Sequence, residues 1–160
     1  MQRPSTSKLK VCLVFDHDSQ KLLPELLANQ EYELTLLSID QTTPLHKKQL
    51  NQTINFKLIH LDYAGPPIST LAPALRSYHL LQWFLKQALS FDIVYFPLSK
   101  GVAYYTLLAK HQGWAFQNLQ LLIYSTTCTL LHKHTCNLWL DHLDDLAYDF
   151  LERESFSLAD

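Results

Sequence analysis

Glycine is almost missing from this chain, which carries three in 160 residues: Gly65, Gly101 and Gly113. A dinucleotide or phosphate site at the first strand–helix turn needs glycines there, so that backbone can come close to the ligand. The turn that begins at Asp16 has none. An excess of positive charge is also missing. Thirteen Lys and Arg stand against fifteen Asp and Glu, a net −2 with histidine neutral, so there is no electrostatic footprint for nucleic acid or an anionic membrane. No apolar run approaches the roughly 20 residues that span a bilayer. Three cysteines cannot pair completely and no hydrophobic leader precedes Leu9, so a reduced, cytoplasmic setting is expected. What is present is a core: 48% hydrophobic and 18% charged residues describe a packed globular chain, at a length that buries roughly two-thirds of its unfolded surface.

Residues 1–8 are polar and read as a flexible tail, leaving 9–160 as a single domain. Leu9 to Phe15 is apolar at nearly every position, as a parallel strand covered on both faces should be. Further strands are expected at Tyr32 to Ile39, Phe56 to Leu61, Asp92 to Phe96 and Leu119 to Ser125. A helix is expected through Leu22 to Leu27. Another from about Ser69 to Leu89 carries Leu71, Leu75, Tyr78, Leu81, Leu85 and Leu89 on its apolar face, which Trp83 and Phe84 widen. A third should start near Gly101 and stop at Gly113, and a last one should run from near Leu138 almost to the end. Asp40 to Thr53 reads as a loop. Strands alternating with helices imply right-handed crossovers and a parallel sheet with helices on both faces, a Rossmann-like α/β fold. Ligands of such sheets bind outside the carboxyl ends of the strands, where strand order reverses. That directs attention to Asp16–Ser19, Asp62–Pro67, Pro97–Gly101 and Thr126–His134.

Two blocks carry a resemblance. PLSKGVAYYTLLAKHQGWAF, from Pro97 to Phe116, resembles the segment of family 4 glycosyltransferases where a strand ends in a proline-led loop and continues into a GYYxLLAKRQGLAF helix. LDDLAYDFLERESFSLAD, from Leu143 to Asp160, resembles that family's LDDLELDFMERxSxxLAD helix. The resemblance implies the amino-terminal, acceptor-side half of a GT-B architecture. It implies transfer of a hexose from a nucleotide-sugar to a glycan or lipid acceptor hydroxyl without a required metal or other cofactor. The donor-binding domain that follows in the family is not matched, so this chain is expected to be inactive alone, and a second glycosyltransferase domain on another chain is the implied partner. Asp16, His17, Lys100, Gly101, Tyr104 and Thr126 are the implied substrate-binding positions. Thr126 stands where the family has an active-site histidine, and a threonine cannot act as acid, base or cationic partner near neutral pH. No catalytic residue is therefore assigned. The alternative is a non-catalytic Rossmann-like binding or interaction module derived from such an enzyme.

Other constellations read more plainly. Asp18 or Ser19 caps the following helix on capping preference, with a catalytic or metal role for the two aspartates as the alternative. Lys100 and Gly101 precede a helix whose free N–H groups could meet a hydroxyl, phosphate or carboxylate. Tyr104 and Tyr105 could offer hydroxyls, although one of them is expected in the core. Cys128, His132, His134 and Cys136 are zinc-type ligands within nine residues, but so short a segment seldom turns four side chains onto one tetrahedral centre. A loop with buried thiols and exposed histidines is expected there. In the last helix, Asp141, Asp144, Asp145, Asp149 and Glu152 read as a solvated acidic face, with Leu143, Leu146, Ala147, Phe150 and Leu151 as its buried stripe. Bare apolar surface on that helix would favour a missing partner domain, since large bare patches mark interfaces.

Overall fold

A computed structural model describes residues 8–16, 32–39, 56–61, 72–87, 91–125, 128–140 and 142–160. Five strands form one parallel sheet: β1 (Leu9–Phe15), β2 (Tyr32–Ser38), β3 (Phe56–His60), β4 (Ile93–Pro97) and β5 (Gln120–Tyr124). Their order is β3-β2-β1-β4-β5. β1 is central, with Leu13 opposite Leu36 of β2 on one side and Tyr95 of β4 on the other. The described helices are α1 (Ala72–Gln87), α2 (Tyr104–His111), α3 (Thr129–Thr135) and α4 (Leu143–Leu158), with a 3-10 turn at Ser99–Gly101. This is a Rossmann-like α/β fold, and no described helix is long and apolar enough to cross a membrane.

The continuous apolar runs in the strands explain the double layer. Alternate residues of each strand point to opposite faces. Cys12, Val14, Leu37, Val94, Phe96 and Leu121 pack with residues of α1 and α2, while Val11, Leu13, Phe15, Leu34 and Leu36 form a second cluster on the other face. The helix expected through Leu22 to Leu27 and the loop expected from Asp40 to Thr53 lie outside the described residues.

Two helical expectations need correction. In α1 the buried line is Ser77, Leu80, Leu81 and Phe84, whereas Tyr78 and Leu85 are exposed. An aromatic cluster sets this rotation: Phe84 packs edge-on against Phe96 of β4 at 5.4 Å and against Phe91 at 6.3 Å, and Trp83 stacks on Phe91. The third expected helix starts later than Gly101, at Tyr104, because Lys100 and Gly101 are both left-handed, at φ +58° and +57°. Gly113, at φ +74°, closes it as expected, with its N–H donating to the carbonyl of Lys110.

The end of the described chain is tied to β5. Asp160 donates its N–H to the carbonyl of Leu121 and accepts the N–H of Leu121 at 2.8 Å. Its carboxylate also takes the Lys110 ammonium. Burial pushes the Asp160 carboxyl up, but the Leu121 N–H and Lys110 outweigh it and hold it below the usual range.

Candidate functional site

The strand order reverses between β1 and β4, so the carboxyl ends of these two strands flank the crevice where a doubly wound sheet takes ligands. Asp16 directly follows β1 and is 1% exposed. Ser99, two residues after β4 and also buried, donates its hydroxyl to Oδ2 of Asp16 at 2.5 Å. One face further along, the Tyr124 hydroxyl at the end of β5 donates to the carbonyl of Val14 at 2.7 Å. These bonds lock together the ends of β1, β4 and β5, the three strands that border the crevice.

After Ser99 the chain turns through its two left-handed residues. Gly101 is required there on two grounds. Its φ suits glycine, and a Cβ added to it would lie 2.2 Å from Cβ of Leu151 and 2.6 Å from the Leu151 carbonyl carbon in α4. The turn and α4 therefore touch backbone to backbone. Glu152, the next residue of α4 and 3% exposed, fastens that contact. Its Oε1 accepts the Lys100 N–H at 2.7 Å and the Thr129 hydroxyl at 2.8 Å, and its Oε2 accepts the Thr129 N–H at 2.7 Å. Burial raises the Glu152 carboxyl above its ordinary value; the bonds from Thr129 and Lys100 lower it in part, and Asp149 adds to the rise.

Asp16, Lys100 and Gly101 thus come together around Ser99, as their strand-end positions imply. Tyr104 lies on α2, its ring edge-on to Tyr105 at 5.0 Å and to Phe150 of α4 at 5.9 Å. Burial pushes its phenol up, with Tyr105 and Glu154 adding to the shift. Neither Tyr104 nor Tyr105 is fully buried. His17 and Thr126 lie outside the described residues, as do Asp18, Ser19 and Asp62–Pro67. Sequence reasoning pointed to the segments that hold Ser99 and Thr129 without singling out either residue, and it read Glu152 as part of a solvated face. Ser99 stands inside PLSKG at a strand end, a position that warranted attention. Glu152 shares its helical face with Leu151 and Ser155, and that mixed face hid it.

The acidic face of the last helix is corrected accordingly. Glu152 is buried, Asp145 is mostly covered and pairs with Lys133 at 2.7 Å, and Asp149 pairs with Arg153 at 2.9 Å. The expected buried stripe is exposed: Leu143 at 71%, Leu146 at 52% and Phe150 at 49%, with Leu151 alone of its large residues buried. The helix starts at Leu143, and the segment before it holds the separate helix α3. Cys128 and Cys136 flank α3, so the expected loop is helical there. Cys136 is exposed, with its Sγ 3.9 Å from Nδ1 of His132. Among the described residues no three His, Cys, Asp or Glu side chains converge on a possible metal position.

Chemically, the site is a pair of buried carboxylates on either side of one tight turn. Asp16 is held by Ser99 and Glu152 takes up N–H groups at the turn and at the start of α3. The Lys100 N–H, the donor that the sequence suggests for an anionic ligand, is already engaged by an internal anion. No model of a known protein family matches the chain, and no curated protein matches it.

Proposed function

We propose that this chain is the acceptor-side, amino-terminal half of a GT-B glycosyltransferase of the family 4 type. Acting with a donor-binding half, it would transfer a hexose from a nucleotide-sugar to a hydroxyl of a glycan or lipid acceptor, in the cytoplasm. The observation that carries the reading is the junction of the two segments bearing the resemblance. The PLSKG turn and the LER segment of α4, some fifty residues apart, meet through Gly101 against Leu151 and Lys100 against Glu152. Both blocks serve one structural unit beside the crevice at the end of β1. In this reading Asp16, His17, Lys100, Gly101, Tyr104 and Thr126 border the acceptor. The charge on the leaving diphosphate is stabilised by the donor-binding half. With threonine at position 126, this half contributes no imidazole at that place.

A second reading, a non-catalytic module that kept the fold, is favoured by Glu152. Its carboxylate satisfies N–H groups that would otherwise be open to an anionic substrate group. The two readings separate by saturation-transfer NMR of the folded protein with a panel of UDP- and GDP-sugars and free glycans, repeated on Lys100→Ala. Glycan or nucleotide-sugar signals that weaken in the variant support the transferase half. A folded protein that binds none of the panel supports the module.

A further inference from the structure

The surface farthest from ordinary for a lone soluble domain lies across α3, the loop after it and the outer side of α4. Of the thirteen large apolar residues exposed among the described residues, nine fall between Leu130 and Phe156. Two hollows lie here. One, of about 630 Å³, lies between α3 and α4 and is lined by Leu130, Leu131 and Phe156 together with Leu98 and Cys128. The other, of about 480 Å³, is lined by Leu130, Leu138, Trp139 and Leu140. They share Leu130 and His134, so they form one continuous apolar face.

We infer that this face is an interface with a second copy of the same chain. The inference does not rest on the functional reading above. Four observations lead to it. The first is area. Leu130, Leu131, Leu138, Trp139, Leu140 and Phe156 together expose on the order of 700 Å², near the roughly 800 Å² per partner of a stable interface and above the usual largest patch of a monomer. The outer stripe of α4, Leu143, Leu146 and Phe150, adds to it. The second is shape. Trp139, 86% exposed, helps to line the smaller hollow and stands apart from the larger one. A knob and a hole on one face are what a two-fold, self-complementary contact requires.

The third is order. Trp139 stands on a fastened loop: the Leu138 N–H donates to the carbonyl of Lys133, and the Lys133 ammonium bonds both the Trp139 carbonyl and Asp145. Little conformational freedom is then left to lose on association. The fourth is charge. The larger hollow is also lined by Asp149 and Arg153 and the smaller one by Lys133, and these ionic groups are matched within the chain, Lys133 with Asp145 and Arg153 with Asp149. Two copies therefore meet without strong repulsion, while an anionic membrane or a nucleic acid would call for a surplus of positive charge.

Sedimentation velocity on the intact chain over a hundredfold range of concentration tests this. The expected result is a species of twice the 18.6 kDa chain mass at the upper end. Trp139→Asp and, separately, Leu131→Asp should raise the dimer dissociation constant by about 30-fold or more, as loss of a central anchor does. Trp114→Asp, at an exposed residue that lines neither hollow, should leave the dimer intact. Circular dichroism shows whether each variant is folded, and the wild-type mass is informative without any variant. A monomer at every concentration overturns the proposal, as does a dimer that survives both aspartate substitutions. A monomer that instead sediments with neutral phosphatidylcholine vesicles overturns it too.

Discussion

Gly101 and Glu152 are adjacent in space and solve one problem from two sides. A left-handed pair at the end of β4 turns the chain into α2, and Lys100, which carries a Cβ, is held in a conformation that costs of order 1 kcal/mol. Its N–H bond to Glu152 secures that conformation. Gly101→Ala adds a methyl that meets the α4 backbone and must keep a positive φ. The expected cost is about 3 kcal/mol in urea unfolding, from overpacking together with the left-handed penalty. A loss below about 0.5 kcal/mol would mean that α4 stands farther from the turn. Glu152→Gln keeps the shape but exchanges one acceptor oxygen for an NH₂ group, leaving a donor of Lys100 or Thr129 unpaired at about 1–2 kcal/mol. The pH dependence carries the sharper test. Because burial raises the Glu152 carboxyl in the folded state, the folded protein holds that proton more tightly than the unfolded chain. The linked stability is complete below the ordinary glutamate pKa and is lost as pH rises through the raised one. Glutamine has no such dependence. The stability gap between wild type and Glu152→Gln should therefore narrow as pH rises through this window. A gap that widens would show that the hydrogen bonds outweigh burial and that the carboxylate is favoured ionised.

At the scale of elements, α4 shows where sequence reading succeeds and stops. The strands were legible because parallel strands covered on both faces must be apolar throughout, and LKVCLVF and YELTLLS say so with little ambiguity. The crevice was legible as well, since strand ends fix where Asp16 and Lys100 must stand. The buried side of α4 was not. Periodicity selects the greasiest stripe, Leu143, Leu146 and Phe150, whereas the contact with the Gly101 turn buries one leucine, one satisfied carboxylate and one small residue: Leu151, Glu152 and Ser155. The short helix α3 was equally hidden, because TLLHKHT buries none of its residues and so has no amphipathic contrast. That packing leaves a testable cost. Thr106 of α2 and Ser155 of α4 are buried with hydroxyls that have no hydrogen-bond partner among the described residues. An unsatisfied buried hydroxyl is unfavourable, and replacing it by an apolar group of the same shape removes the penalty. Thr106→Val and Ser155→Ala should each raise stability by about 0.5–1 kcal/mol in urea unfolding. A loss in either variant would reveal a partner for that hydroxyl, such as an enclosed water.

For the whole molecule, the sheet decides how the chain opens. β1 lies between β2 and β4 and joins the two halves of the sheet. Cys12, in the middle of β1 and fully buried, is a built-in reporter of that opening. Burial pushes its thiol far above the usual range, and only the thiolate attacks a disulfide reagent. Reaction in the native state is thus blocked both by access and by ionisation. In a Cys128→Ser, Cys136→Ser background, where Cys12 is the remaining thiol, modification by an aromatic disulfide should follow the fraction of molecules globally unfolded. Its rate should then rise with urea along the slope of global unfolding. In the wild type, exposed Cys136 should react in a separate fast phase that urea hardly changes. If Cys12 instead reacted rapidly and independently of urea, the helical layer that covers it, α1 and α2, would lift from β1 without unfolding of the rest.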